Sequence, residues 1–115
     1  MNQHTRLRHP PVIDRTGMIV VLCSGGTYLG GTIKHSTFIL DRDADRANRK
    51  DTVADIASGE IENVSEVYEI GRDLPVTEDI AREVLALARK DANGEQLPYG
   101  VREFCHEQLG TGVCA

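Results

Sequence analysis

The stretch that follows Pro75 carries the clearest structural signal in the chain. Thr77 has a hydroxyl of the kind that caps a helix N-terminus, and Glu78 and Asp79 suit the positive end of a helix dipole. Asn93-Gly94 is a typical helix stop. Between these points apolar residues recur at helical spacing, namely Ile80, Ala81, Val84, Leu85, Leu87 and Ala88. The pattern predicts a core helix from Glu78 to about Asp91, with Thr77 as its cap.

Two further stretches have the composition of strands. The apolar run Met18–Cys23 predicts a buried strand, and the Ser24-Gly25-Gly26 that follows it predicts a turn. Residues 27–31 are too short and too rich in glycine for a regular element other than an edge segment, and Gly30-Gly31 predicts a second bend. Thr32–Leu40 resumes β-type composition, so a meander of antiparallel strands is expected.

The second half of the chain predicts a strand and two more helices. The charged run 41–50 is expected to be a solvated turn or a loose entry to a short helix, capped by Thr52 and ended by Gly59. Ile61–Ile70 suits a half-buried strand. Pro98 can open a last helix with one apolar face, formed by Val101, Phe104, Cys105 and Leu109.

Together these elements predict an α+β fold, with a small antiparallel sheet of about three strands packed against two or three helices. Residues 1–16 are polar and contain Pro10-Pro11, so a flexible N-terminal arm is expected before a single domain at 17–115. A chain of 115 residues is within the usual size range of one domain.

Composition and cysteine usage bear on the compartment. The chain has no apolar run of about 18 residues, and its N-terminus lacks the apolar core of a secretory signal. Its three cysteines are an odd number without paired spacing, which favours free thiols over a disulfide framework. The sequence therefore predicts a cytoplasmic protein that does not contact membranes.

The net charge of −5 is unevenly distributed. Residues 1–50 carry eight Lys or Arg against four Asp, a net +4, whereas residues 51–115 carry five against fourteen acids, a net −9. An acidic face favours basic partners over nucleic acid, so direct binding of duplex DNA is not expected. A homodimer is compatible with the sequence.

Catalytic candidates are few. Cys23 lies at the end of a strand before Ser-Gly-Gly, where a nucleophile could have backbone donors nearby, but a thiol in an apolar strand is more often a core residue. Gly25–Gly31 lacks the Lys-Ser/Thr of a phosphate-binding loop. Cys105 and His106 are adjacent on a helix, so they point about 100° apart and do not readily share a metal ion. No catalytic residue, metal or cofactor is predicted.

Acidic and basic clusters are the remaining features that point to binding. A line of carboxylates crosses the presumed third strand and its exit, and it is the predicted partner-binding surface: Glu60, Glu62, Glu66, Glu69 and Asp73. Such an array could occupy a basic groove made for phosphates, or it could be a solvated face. A basic cluster in the front half could contact phosphate itself, although Asp41, Asp43, Asp45 and Asp51 surround it: Arg42, Arg46, Arg49 and Lys50.

Two stretches, 55–64 (DIASGEIENV) and 76–84 (VTEDIAREV), preceded by 41–46 (DRDADR), resemble segments of small uncharacterised proteins of proteobacterial plasmids and phages. The likeness covers about residues 41–84 and carries no catalytic motif. Among such proteins, anti-CRISPR and related anti-defence inhibitors act by binding and blocking a host complex. The resemblance thus implies an accessory protein of a mobile element.

The resulting hypothesis is a non-enzymatic protein-binding factor, an anti-CRISPR or other anti-defence inhibitor that presents acidic surface to the basic nucleic-acid groove of a host protein or nucleoprotein complex. Two alternatives remain open from the residues. One is a small enzyme that uses Cys23 or the acidic line, and the other is a nucleic-acid-binding regulator that uses the basic front half.

Overall fold

Residues 15–112 are described by the structure, a computed structural model. Within this range the strands are β1 (Ile19–Leu29), β2 (Thr32–Ile39) and β3 (Val64–Glu69). The α-helices are α1 (Arg49–Ala57), α2 (Thr77–Ala92) and α3 (Tyr99–Leu109). The predicted α+β class, with a three-stranded antiparallel sheet and three helices, is confirmed. The predicted N-terminal arm lies almost wholly outside the described residues.

The sheet has the order β2-β1-β3, and both pairings are antiparallel. Ile19, Val21 and Cys23 alternate along β1 and are buried, while the residues between them are only half-buried. This alternation shows that one face of the sheet packs on the core and that the helices lie on that face. None of the helices in the described range is long and apolar enough to cross a membrane.

The first strand is longer than the sequence predicts. The turn expected at Ser24-Gly25-Gly26 is wrong, because β1 continues through these residues to Leu29 and pairs with β2 along the whole length of that strand. A Cβ atom at Gly25 would lie 3.1 Å from the Phe38 ring, so the aromatic side chain occupies the space that a larger residue would need. The bend at Gly30-Gly31 is confirmed, and both residues have positive φ, as a two-residue hairpin loop requires.

Of the two expectations for the charged run at 41–50, the entry to a short helix is confirmed. The run contains a short 3-10 helix, Ala44–Arg46, and leads into α1, which begins at Arg49 with Asn48 as its cap. Thr52 is therefore inside α1 and does not cap it. Its hydroxyl donates to the carbonyl of Asn48 at 2.7 Å and accepts from Arg42 at 2.6 Å.

Arg42 and Arg46 surround a buried carboxylate on α1. Asp55 is only 8% exposed. Its two oxygens accept from Arg42, at 2.8 Å, and from Arg46. A buried acid needs such partners because desolvation of an unpaired charge is costly. Through Arg42 and Arg46, the segment before α1 is thus held against Asp55 of that helix.

Helix α2 confirms the strongest prediction in all but its cap. Ile80, Ala81, Val84, Leu85 and Ala88 are buried, and the helix ends at Asn93 in the left-handed conformation. Thr77 is the first helical residue. Its hydroxyl does not cap α2 but accepts a hydrogen bond from the backbone N–H of Val67 at 2.9 Å, while Val76 N–H donates to the Val67 carbonyl at 2.8 Å. These bonds cover the edge of β3 and fix α2 against the sheet.

The last helix is also as predicted. It follows Pro98 and ends before Gly110, with Val101, Phe104 and Cys105 buried and Leu109 packed at the margin of the core. The predicted strand at 61–70 is confirmed over Val64–Glu69.

Candidate functional site

A groove of about 370 Å³ lies between α3 and the loop that leads into β3. Three of its eight lining residues are glutamates, Glu62, Glu103 and Glu107, and none is Lys or Arg. The others include Tyr99, which is exposed, and the buried residues Val64 and Phe104. We call this feature the acidic groove, and its complete lining is Glu62, Asn63, Val64, Tyr99, Gly100, Glu103, Phe104 and Glu107.

The loop side of the acidic groove is set by backbone contacts. Ile61 is buried, and its N–H donates to the carbonyl of Asp55 at 3.0 Å. Asn63 adopts the left-handed conformation, which Asn tolerates better than most residues. Its carbonyl accepts from the Ser24 N–H at 2.8 Å. Because both neighbours are fixed, Glu62 between them is held at the surface.

The helix side is one face of α3. Tyr99, Glu103 and Glu107 are four residues apart, so they lie above one another on consecutive turns. The Tyr99 hydroxyl donates to Glu103 at 2.7 Å. This hydrogen bond and the negative charge of Glu103 raise the pKa of Tyr99 above its ordinary value. The Arg102 guanidinium lies 6.0 Å from the Tyr99 ring centre.

Two like charges four residues apart on a helix repel one another. Glu103 and Glu107 are such a pair, and Glu62 adds a third carboxylate across the groove. All three are exposed. A cationic group that enters the groove would relieve this repulsion, so the arrangement suits a Lys or Arg side chain of a partner.

The five acids of the predicted binding line have different surroundings. Glu60 and Glu62 are exposed in the loop before β3, and Asp73 is exposed in the turn before α2. Glu66 is half-buried on β3 and accepts from the Tyr68 hydroxyl at 3.1 Å, an interaction that raises the pKa of Tyr68. That these five bind a partner stays a prediction, and of them only Glu62 lines the acidic groove.

Glu69 differs from the solvated residue that the sequence suggested. Its side chain is 18% exposed and forms ion pairs with Arg72 at 3.1 Å and Arg49 at 3.9 Å. Arg49 also binds Glu83, and that hydrogen bond raises the pKa of Arg49. Replacing Glu69 with Lys would place a third cation beside two arginines, so that change is expected to destabilise the fold.

Three of the four basic residues proposed as a phosphate-binding cluster are engaged by carboxylates. Arg42 and Arg46 bind Asp55, and Arg49 binds Glu83 and Glu69. The fourth residue, Lys50, is exposed on α1. Most of the cluster's charge is therefore balanced by carboxylates of this chain.

The catalytic alternative centred on Cys23 has little geometric support. The residue is 3% exposed, and burial raises the pKa of its thiol, which disfavours the thiolate that a nucleophile needs. The prediction of a buried Cys23 is confirmed. Among residues 15–112, no group of three or more His, Cys, Asp or Glu is arranged to hold a metal ion.

Sequence reasoning missed Tyr99, Glu103 and Glu107. Their four-residue spacing on the polar face of a predicted helix was visible, but nothing local indicated that Glu62, about forty residues earlier, would lie opposite them. Comparison of the chain with protein-family models, with curated proteins and with solved structures finds no match.

Proposed function

We propose that this protein is a non-enzymatic binding factor whose acidic groove receives a basic segment of a partner protein. The observation that carries the proposal is the set of three exposed glutamates, Glu62, Glu103 and Glu107, in one groove whose lining includes no Lys or Arg. Tyr99 adds an aromatic ring that is 70% exposed, and such rings attract Lys and Arg side chains, as the contact with this chain's own Arg102 illustrates.

The kind of partner is inferred from charge and from the resemblance of residues 41–84 to segments of mobile-element proteins. An acidic groove attracts Lys- or Arg-rich surface and repels nucleic acid. The basic nucleic-acid-binding groove of a host defence complex is such a surface, and an inhibitor that occupies it would be an anti-CRISPR or related anti-defence protein of a mobile element. The protein would then act in the cytoplasm without a cofactor.

The proposal is tested by neutralising the acidic groove without changing side-chain size. The triple variant Glu62→Gln, Glu103→Gln and Glu107→Gln preserves the acceptor for the Tyr99 hydroxyl. Its affinity for a fluorescent arginine-rich peptide, measured by anisotropy, is expected to fall about 10- to 100-fold, as the loss of three exposed charge pairs implies. Wild-type affinity is also expected to fall as salt rises, mainly through a slower on-rate.

A matched control carries the same change in net charge at exposed acids outside the groove: Asp43→Asn, Asp91→Asn and Glu95→Gln. It is expected to bind the peptide nearly as tightly as the wild type. Equal losses in the two triple variants would show that only net charge matters. An unchanged affinity of the groove variant would show that the peptide binds elsewhere.

A further inference from the structure

Strand β2 is an edge strand with few of the features that usually protect one. All eight of its residues are exposed, and among the described residues it pairs only with β1. It contains no Pro, no Gly and no acid, and Lys34 is its one permanently charged residue. Three of its apolar side chains are strongly exposed, Ile33 at 57%, Phe38 at 47% and Ile39 at 69%. Unprotected edges of this kind are templates for pairing with another strand.

The hairpin also extends beyond the rest of the sheet. β3 pairs with β1 only over Ile19–Cys23, so the part from Ser24 to Leu29 is paired with β2 alone. A two-stranded ribbon in water is marginally stable, and additional strands stabilise it. An added strand along β2 would therefore support the part of the hairpin that the core does not reach.

The backbone shows which groups of β2 are available to a new strand. Leu40 N–H donates to the Val21 carbonyl at 2.8 Å, directly after the strand. In an antiparallel ladder, residues whose backbone N–H and C=O bond to the neighbouring strand alternate with residues whose groups point away from it. Since Leu40 bonds to β1, the even-numbered residues of β2 do so as well. The N–H and C=O groups of Ile33, His35, Thr37 and Ile39 consequently point to the open edge.

Side-chain pattern then identifies the strand that fits. We propose that a second copy of this chain pairs antiparallel along β2, about a twofold axis at Ser36, to form a continuous six-stranded sheet. In this register Ile33 lies opposite the second copy's Ile39, and Lys34 lies opposite the second copy's Phe38. Apolar cross-strand pairs stabilise a sheet, and a lysine beside an aromatic ring is favourable.

Symmetry leaves few other registers. In an antiparallel pair, directly opposed residues have side chains on the same face of the sheet. A twofold axis normal to the sheet must therefore lie midway between the two copies of one residue, so that this residue is opposite its own copy. An axis at His35 would oppose two histidines and set Ile33 against Thr37. The axis at Ser36 forms the Ile33–Ile39 pair twice, once on each side of the axis. It opposes no like charges, because Lys34 lies opposite Phe38 and Ser36 lies opposite its own copy.

The test uses a backbone group that points outward. Thr37→Pro removes an N–H that bonds to the second copy but none that bonds to β1, and proline is tolerated on an edge in that position. The dimer dissociation constant, from sedimentation equilibrium of the full chain, is expected to rise about 100-fold because the hydrogen bond is lost twice. Thr37→Val keeps the N–H and is expected to dimerise as the wild type does.

Register is tested by cysteine cross-linking in a Cys114→Ser background. Ser36→Cys places two thiols opposite each other at the axis, where Cβ atoms are about 4.5–5.5 Å apart, so oxidation is expected to give a covalent dimer. Lys34→Cys is the control, because in this register the two copies of residue 34 are about 13 Å apart along the strands. A wild type that stays monomeric at every concentration, a dimer that Thr37→Pro does not weaken, or equal cross-linking of both cysteine variants would overturn the proposal.

Discussion

Replacing Leu85 with aspartate is expected to unfold the protein or to bring it close to unfolding. Leu85 is 7% exposed on α2, the helix that packs on α1, α3 and β3. The substitution removes a core side chain and buries an unpaired carboxylate, with an expected cost of about 4 kcal/mol or more. Domains of this size are stable by about 5–15 kcal/mol, so the loss is a large share of the total. Urea denaturation followed by circular dichroism measures it.

Arg82 is the matched control on the solvent face of the same helix. Its side chain is 59% exposed and pairs with Glu78 and Asp79 within α2. Exposed pairs of this kind contribute about 0.3–0.5 kcal/mol each, so Arg82→Ala is expected to cost less than about 1 kcal/mol. Equal, small losses for Leu85→Asp and Arg82→Ala would mean that α2 buries a different face.

Replacing Asp55 with alanine is expected to have the second largest effect, about 3–5 kcal/mol in the free energy of unfolding. The change removes the carboxylate that binds Arg42 and Arg46, and the Arg42 side chain is only 9% exposed. The cost arises mainly because a buried guanidinium loses its counter-charge. The same urea denaturation experiment measures it.

Glu78→Ala removes an equivalent carboxylate–arginine pair in which both side chains are about 60% exposed. Its expected cost is below about 1 kcal/mol. If Asp55→Ala cost no more than Glu78→Ala, the interaction of Arg42 and Arg46 with α1 would not hold the run at 41–50 in place.

The helices show how much of this fold is predictable from sequence. α2 and α3 are amphipathic over several turns, and they end at Asn93 and Gly110, residue types that commonly end helices. Local pattern and final packing therefore agree. The prediction that Thr77 caps α2 was wrong, because its hydroxyl instead accepts a hydrogen bond from the backbone of β3. A side-chain hydrogen bond of that kind depends on tertiary contact.

Strand β1 and the charged run show where local reasoning fails. Two adjacent glycines normally mark a turn, but in β1 they continue a strand that pairs with β2 up to Leu29, where Phe38 of β2 lies close to Gly25. The charged run at 41–50 leads into α1, as one expectation had it, but nothing local indicated that Arg42 and Arg46 would bind Asp55, several residues further on. In both cases the deciding partner lies elsewhere in the sequence.

The acidic groove was only partly predictable for the same reason. Glu62 was recognised as a binding candidate from the density of carboxylates around β3. Glu103 and Glu107 belong to α3, and it is the packing of this helix beside the Gly59–Asn63 loop that brings all three together. The charge division of the chain therefore indicated an acidic surface but not its location.

NMR titration of the isotope-labelled protein with an arginine-rich peptide shows directly whether basic partners bind in the acidic groove. The backbone amide signals of Glu62, Gly100, Glu103 and Glu107 are expected to shift, while those of Asp43, Asp91 and Glu95 stay in place. Shifts confined to Glu66, Glu69 and Asp73, or spread evenly over all exposed acids, would contradict binding in the acidic groove.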